Sequence, residues 1–102
     1  MGGSKYRLAF TPEAASILKD MESRGELRAK LKKVRKALAR LGEDPFHPAL
    51  NSHAYKSVKG PNDETVWDSY VENHTPNAWR IFWCYGPDKG VITIQTISPH
   101  PK

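Results

Sequence analysis

The side chains best suited to chemistry in this sequence are Arg80, Lys56, Lys59 and His100, and together they fit a phosphate ester. A guanidinium offers planar donors to two phosphate oxygens at once, and ammonium groups add positive charge. An imidazole gives or takes a proton near neutrality. Cleavage of an RNA backbone by its own 2′-hydroxyl needs such parts: a base for the hydroxyl, cations for the charge growing on phosphate, and an acid for the departing 5′-oxygen. Arg80, Lys56 and Lys59 would supply the charge, and His100, pinned between Pro99 and Pro101, the acid or base. Tyr70, Trp79 and Tyr85 are candidates to stack on unpaired bases, a use that competes with building the core.

Other chemistries lack their residues. His47, His53 and His74 fall in loops at spacings that match no zinc pattern, and one cysteine adds little, so neither a metal nor another cofactor is expected. There is no phosphate-binding glycine loop and no nucleophile elbow. Cys84 sits mid-strand among aromatics and reads as a small buried hydrophobe. A lone cysteine cannot form an internal disulfide and fits a reducing, cytoplasmic setting. No apolar stretch approaches the roughly 20 residues of a membrane span, so no membrane partner is expected.

The formal net charge of +5 is unevenly spread. Between Arg24 and Leu41 stand eight basic residues and one acid, Glu26, whereas the rest of the chain has eight basic and ten acidic residues. A near-neutral body thus carries one strongly basic helix, which attracts polyanions through counterion release. Arg28, Lys32 and Arg35 on that helix are the RNA-binding candidates, beside the plainer reading of a solvated face rich in good helix formers.

The elements that must position these residues follow from periodicity. Lys5 to Phe10 alternates as a short strand. Thr11-Pro12-Glu13 starts a helix, with Thr11 as N-cap and Pro12 at the first helical position, and the helix runs to about Ser23. After a break at Gly25, Leu27, Leu31, Val34, Leu38 and Leu41 form the apolar seam of a second helix, with Gly42 as its C-cap. The segment from Glu43 to Pro61 reads as an irregular connector with a short strand at Tyr55–Val58. Strands at Val66–Glu72, Trp79–Tyr85 and Val91–Ser98 then form a three-stranded antiparallel meander, its last turn at Gly86–Gly90. The expectation is one α+β domain over residues 5–101, with a two-helix hairpin packed on one sheet face and residues 1–4 as a flexible start.

Alternation along Trp79–Tyr85 puts Trp79, Ile81, Trp83 and Tyr85 on one face and Arg80, Phe82 and Cys84 on the other. Arg80 is the one charge on this strand and needs a partner. Two readings stand: an ion pair to Asp68 or Glu72 on the neighbouring strand, or a clamp for phosphate oxygens.

From Lys5 to Pro101 the chain resembles the RelE/ParE superfamily of bacterial toxin–antitoxin toxins. The resemblance rests on element order, on the basic helix ending in Leu41-Gly42-Glu43-Asp44-Pro45, on the Val58-Lys59-Gly60 step and on Val66-Trp67-Asp68. Its most telling run is Trp79-Arg80-Ile81-Phe82-Trp83, followed by Ile94-Gln95-Thr96-Ile97-Ser98-Pro99-His100. It implies a RelE-like toxin that cleaves mRNA in the ribosomal decoding site and is held inactive by a cognate antitoxin. By position it makes Arg80 the family's strand arginine, Lys56 and Lys59 its basic residues before the hairpin, and His100 its C-terminal histidine. Two departures stand out: Tyr70 where many relatives carry another arginine, and a chain stopping two residues after His100. They keep two alternatives in view, a ParE-like inhibitor of DNA gyrase and a non-catalytic ribosome or RNA binder.

Overall fold

The computed structural model describes residues 5–72 and 78–99. Its first strand, β1 (Arg7–Phe10), leads through Thr11 into α1 (Pro12–Ser23). Thr11 caps as expected: its Oγ1 accepts from Ala14 N–H at 3.1 Å and donates to the Gln95 carbonyl at 2.8 Å, tying the helix start to the far end of the chain. A single 3₁₀ turn over Gly25–Leu27 reverses into α2 (Arg28–Glu43). On α2, Leu31, Val34, Leu38 and Leu41 are buried, and Leu27 is half-buried at the edge of the seam.

Gly42 departs from expectation. It lies inside the last turn of α2, and Asp44 is the C-cap, its N–H reaching the Arg40 carbonyl at 2.8 Å. Gly42 is buried where the chain entering β1 crosses the helix, and its carbonyl accepts from Tyr6 N–H at 2.9 Å.

The remaining strands are β2 (His53–Lys59), β3 (Thr65–Tyr70), β4 (Trp79–Tyr85) and β5 (Val91–Pro99). They join β1 in one five-stranded sheet of order β1-β5-β4-β3-β2. β1 pairs parallel to β5, from Arg7 opposite Val91 to Phe10 opposite Ile94, and all other pairs are antiparallel. The meander therefore has four strands, since the short Tyr55–Val58 segment is part of a full edge strand. An edge strand has one neighbour, and His53–Lys59 is exposed or half-buried throughout, so it shows little apolar alternation to read. Gly86 and Gly90 sit at φ +96° and +78° in the turn before β5, a conformation that side chains with a Cβ resist.

Both helices cover one face of the sheet. There Ala14, Met21, Leu31, Val34, Ala37, Leu38 and Leu41 pack against Ile81, Trp83, Ile92, Ile94 and Ile97. Each buried Met, Leu, Val or Ile side chain among them contributes roughly 1.5–3 kcal/mol by leaving water. A polar chain crosses this layer: Trp83 Nε1–H donates to Ser69 Oγ (2.8 Å), which meets Ser52 Oγ (2.6 Å), which donates to the Pro45 carbonyl (2.6 Å). It joins the connector after α2 to the middle of the sheet.

The other face has no helix. Val66, Phe82 and Cys84 form a small second core there, with Tyr55 packed against it. Alternation alone places Arg80 on this side too, because Ile81 belongs to the helix-facing core.

Candidate active site

Arg80 is fixed by two residues of the neighbouring strand, β3. In register it stands opposite Tyr70, and Asp68 stands opposite Phe82 and, on its other side, His53. The Arg80 guanidinium lies over the Tyr70 ring, 3.7 Å from its centroid, and its Nη1 donates to Asp68 Oδ2 at 2.9 Å. His53 Nε2 approaches that same Oδ2 at 3.4 Å, and the His53 ring meets Tyr70 edge to face, centroids 5.9 Å apart. Of the two readings of Arg80, the ion pair is the one formed. Asp68 is 1% exposed and Arg80 8% exposed, so each neutralises a charge that would be costly alone. Asp68 Oδ1 and Arg80 Nε have no hydrogen-bond partner among the described residues.

Glu72, the other carboxylate considered for Arg80, turns to the helical layer. It binds Lys30 and, at 3.3 Å, Lys33 of α2, and it accepts from Trp79 N–H at 3.5 Å. Burial works against its ionised form, but the lysines and the Trp79 amide outweigh it and hold the carboxyl below its ordinary value.

The other predicted residues distribute around this cluster. Lys56 and Lys59 are exposed on the edge strand β2, Lys56 within the irregular stretch between Tyr55 and Lys59 and Lys59 where pairing resumes, and neither forms an ion pair among the described residues. Lys59 leads into a tight turn at Gly60, where an added Cβ would come within 2.5 Å of Glu64 Oε1 and 3.0 Å of Cys84 Sγ. Tyr70 is half-buried, with one ring face taken by Arg80. His100 and His74 lie outside the described residues.

Arg28, Lys32 and Arg35 belong to the helical layer, separated from Arg80 by the sheet. Arg28 and Lys32 are exposed and unpaired among the described residues, whereas Arg35 is held by Glu22 of α1 at 2.8 Å. Arg28 and Arg35 line a cleft of about 530 Å³ between the ends of α1 and α2, floored by Met21 and Leu31. The basic helix and Arg80 thus lie on opposite faces of the sheet, which charge counting along the chain does not show.

Cys84 is buried beneath the Gly60 turn, and burial, reinforced by the Glu64 carboxylate, pushes its thiol up. Of the remaining histidines, His47 caps the short turn Pro48–Leu50 by accepting from Ala49 N–H at 3.0 Å. His53 is the member of the cluster that the sequence leaves in a loop. Reading His53 and Tyr55 as alternate residues of a strand would place them on one face, opposite Asp68 and Val66.

No known family model matches the sequence, and no curated protein matches it. Solved structures do match across nearly the whole chain. RelE in the archaeal RelE–RelB complex from Pyrococcus horikoshii is 14% identical with a TM-score of 0.63, covering 93% of this chain and 94% of that one. The YoeB/ParE toxin from Agrobacterium tumefaciens is 9% identical with a TM-score of 0.68, covering 93% and 99%. YoeB of the Staphylococcus aureus dimer is 14% identical with a TM-score of 0.67, covering 96% and 100%. At such identities the likeness is one of fold: the chain has the α+β fold of RelE/ParE-type toxins.

Proposed function

We propose that this chain is the toxin of a toxin–antitoxin pair and an endoribonuclease that cuts mRNA on the ribosome, in the cytoplasm. The observation that carries this reading is the group of Arg80, Asp68, Tyr70 and His53 on the helix-free face of the sheet, in a fold shared with RelE and YoeB. It joins a fixed guanidinium, a carboxylate and an imidazole beside an edge strand bearing Lys56 and Lys59, which suits attack of a 2′-hydroxyl on its own phosphate without a metal. Lys59 supplies positive charge to the phosphate, Arg80 holds the cluster in place through Asp68, His100 is the proton acceptor, and Lys56 and Tyr70 hold the strand. Arg28, Lys32 and Arg35 grip ribosomal RNA from the helical layer. The RelE–RelB complex supports a cognate antitoxin as the protein partner.

The test is to map mRNA 5′ ends in a translation extract. New ends with the intact protein, reduced by Lys59→Ala and His100→Ala, support the reading. No new ends, or ends unaffected by either substitution, overturn it.

One observation favours a second reading. Asp68 cancels the charge of Arg80, and little of that guanidinium is exposed. A ParE-like gyrase inhibitor, or a ribosome or RNA binder that cuts nothing, needs no free charge there. Inhibited DNA supercoiling with intact mRNA would identify the first, and salt-sensitive ribosome binding without cleavage the second.

A further inference from the structure

His53 is held in a way that neither a structural nor a surface role requires. Its Nδ1 lies 3.0 Å from the Asn51 carbonyl and its Nε2 lies 3.4 Å from Asp68 Oδ2. The Asn51 carbonyl is an acceptor only, so Nδ1 carries the hydrogen of that contact, and Nε2 is the nitrogen turned toward the Asp68 carboxylate. With a second hydrogen on Nε2, the ring is a proton donor that faces a carboxylate. The side chain is 49% exposed, so it reaches the surface where Arg80 and Asp68 do not. A contact of 3.4 Å is long for a charge-assisted hydrogen bond and leaves Nε2–H free to turn to another acceptor. The groups that face the ring are Asp68 and Tyr70 of β3, with Arg80 of β4 behind them on the same carboxylate oxygen.

We infer that His53 is the general acid of the cleavage reaction, giving its Nε2 proton to the departing 5′-oxygen. This rests on the nuclease reading above. The 2′-oxygen forms a bond to phosphorus as the bond from phosphorus to the 5′-oxygen breaks. The 2′-hydroxyl proton goes to His100, the His53 proton goes to the 5′-oxygen, and the products are a 2′,3′-cyclic phosphate and a 5′-hydroxyl. The neutral ring left behind keeps Nδ1–H on the Asn51 carbonyl, so its orientation outlasts the transfer. Arg80 acts on this acid as a positioning residue, fixing the carboxylate that aims it.

The experiment uses ribosomes programmed with a short synthetic mRNA, in two forms: an ordinary one, and one with sulfur in place of the 5′-oxygen at the cleaved linkage. Sulfur departs as a thiolate and needs no proton. His53→Gln should cut the ordinary mRNA about 100-fold more slowly than the unsubstituted protein, the scale of a lost general acid. It should cut the sulfur-containing mRNA at nearly the unsubstituted rate. Equal loss on both substrates, or ordinary cleavage within about threefold of normal, overturns the role of His53 and leaves the nuclease reading standing. Failure of the unsubstituted protein to cut either substrate overturns the nuclease reading itself. Urea unfolding of His53→Gln alongside the unsubstituted protein checks that the half-exposed site has not disturbed the fold.

Discussion

Arg80 reaches Asp68 diagonally between the adjacent strands β4 and β3. Its direct cross-strand neighbour is Tyr70, whose ring it covers at 3.7 Å, and its Nη1 meets Asp68 Oδ2 at 2.9 Å two residues away along β3. Diagonal pairs of this kind lie within reach of long side chains in antiparallel sheets. The arginine thereby spends its charge on a carboxylate and its flat surface on an aromatic ring, both from the same neighbour. The cluster is preorganised, and the orientation of His53 depends on it.

Removing either charge of the pair should be more damaging than removing both. Asp68→Ala leaves the Arg80 guanidinium buried without its partner, at an expected cost of about 3–5 kcal/mol. Replacing both with apolar residues of similar volume, Asp68→Leu with Arg80→Met, should recover most of that loss. Urea unfolding of Asp68→Leu, Arg80→Met and the variant carrying both measures the coupling. A double variant as unstable as the worse single would argue against it.

The chain Trp83–Ser69–Ser52–Pro45 predicts a second sensitive point. Ser69 is fully buried and serves the Trp83 N–H, which Ser69→Ala would leave unsatisfied, costing about 1–3 kcal/mol. Ser52 is only half-buried, so Ser52→Ala should cost less than Ser69→Ala. Thermal unfolding of both variants ranks them.

Glu72 makes acid stability a readout of one carboxylate. Its folded-state affinity for protons is lowered, so the stability it contributes is fully present above its ordinary value of 4.5 and is lost as pH falls below that point. Denaturation from neutral pH down through this range should show a steeper fall for the unsubstituted protein than for Glu72→Gln. Parallel profiles would remove Glu72 from the account.

The basic helix predicts unequal arginines. Arg28 and Lys32 are unpaired among the described residues, while Arg35 shares its charge with Glu22. For binding to a short RNA duplex, Arg28→Ala and Lys32→Ala should each reduce the logarithmic salt slope by about 1 and weaken affinity whatever the sequence. Arg35→Ala should reduce it by less. Filter binding over a salt series separates these outcomes, and a slope unchanged in all three variants would place the polyanion elsewhere.

The legible parts of this fold are those in which local chemistry and burial agree. Thr11-Pro12 marks the start of α1 because the cap and the fixed proline φ act within one turn. The seam from Leu31 to Leu41 marks α2 because one stripe meets the sheet. On β4, alternation separates Arg80 from the helix-facing Ile81 and Trp83 without any knowledge of register. Register is what alternation leaves open, and it decides that Asp68 rather than Glu72 meets Arg80. His53 is hidden for another reason. Edge strand β2 buries too little to show a pattern, so its histidine has no visible face until β3 is set beside it. The separation of α2 from Arg80 is likewise a matter of layers, which a count of charges along the chain does not contain.

The parallel pairing of β1 with β5 ties residues 7–10 to residues 91–94, with β5 lying between the first strand and the rest of the sheet. A chain emerging from a ribosome can form α1, α2 and the β2–β3–β4 meander while β1 still has no neighbour. The sheet closes only when the last strand inserts, at the largest sequence separation in the molecule and the largest loop-closure cost. Arg80, whose strand pairs with β5, therefore gains its finished surroundings only once the last strand has inserted between β1 and β4.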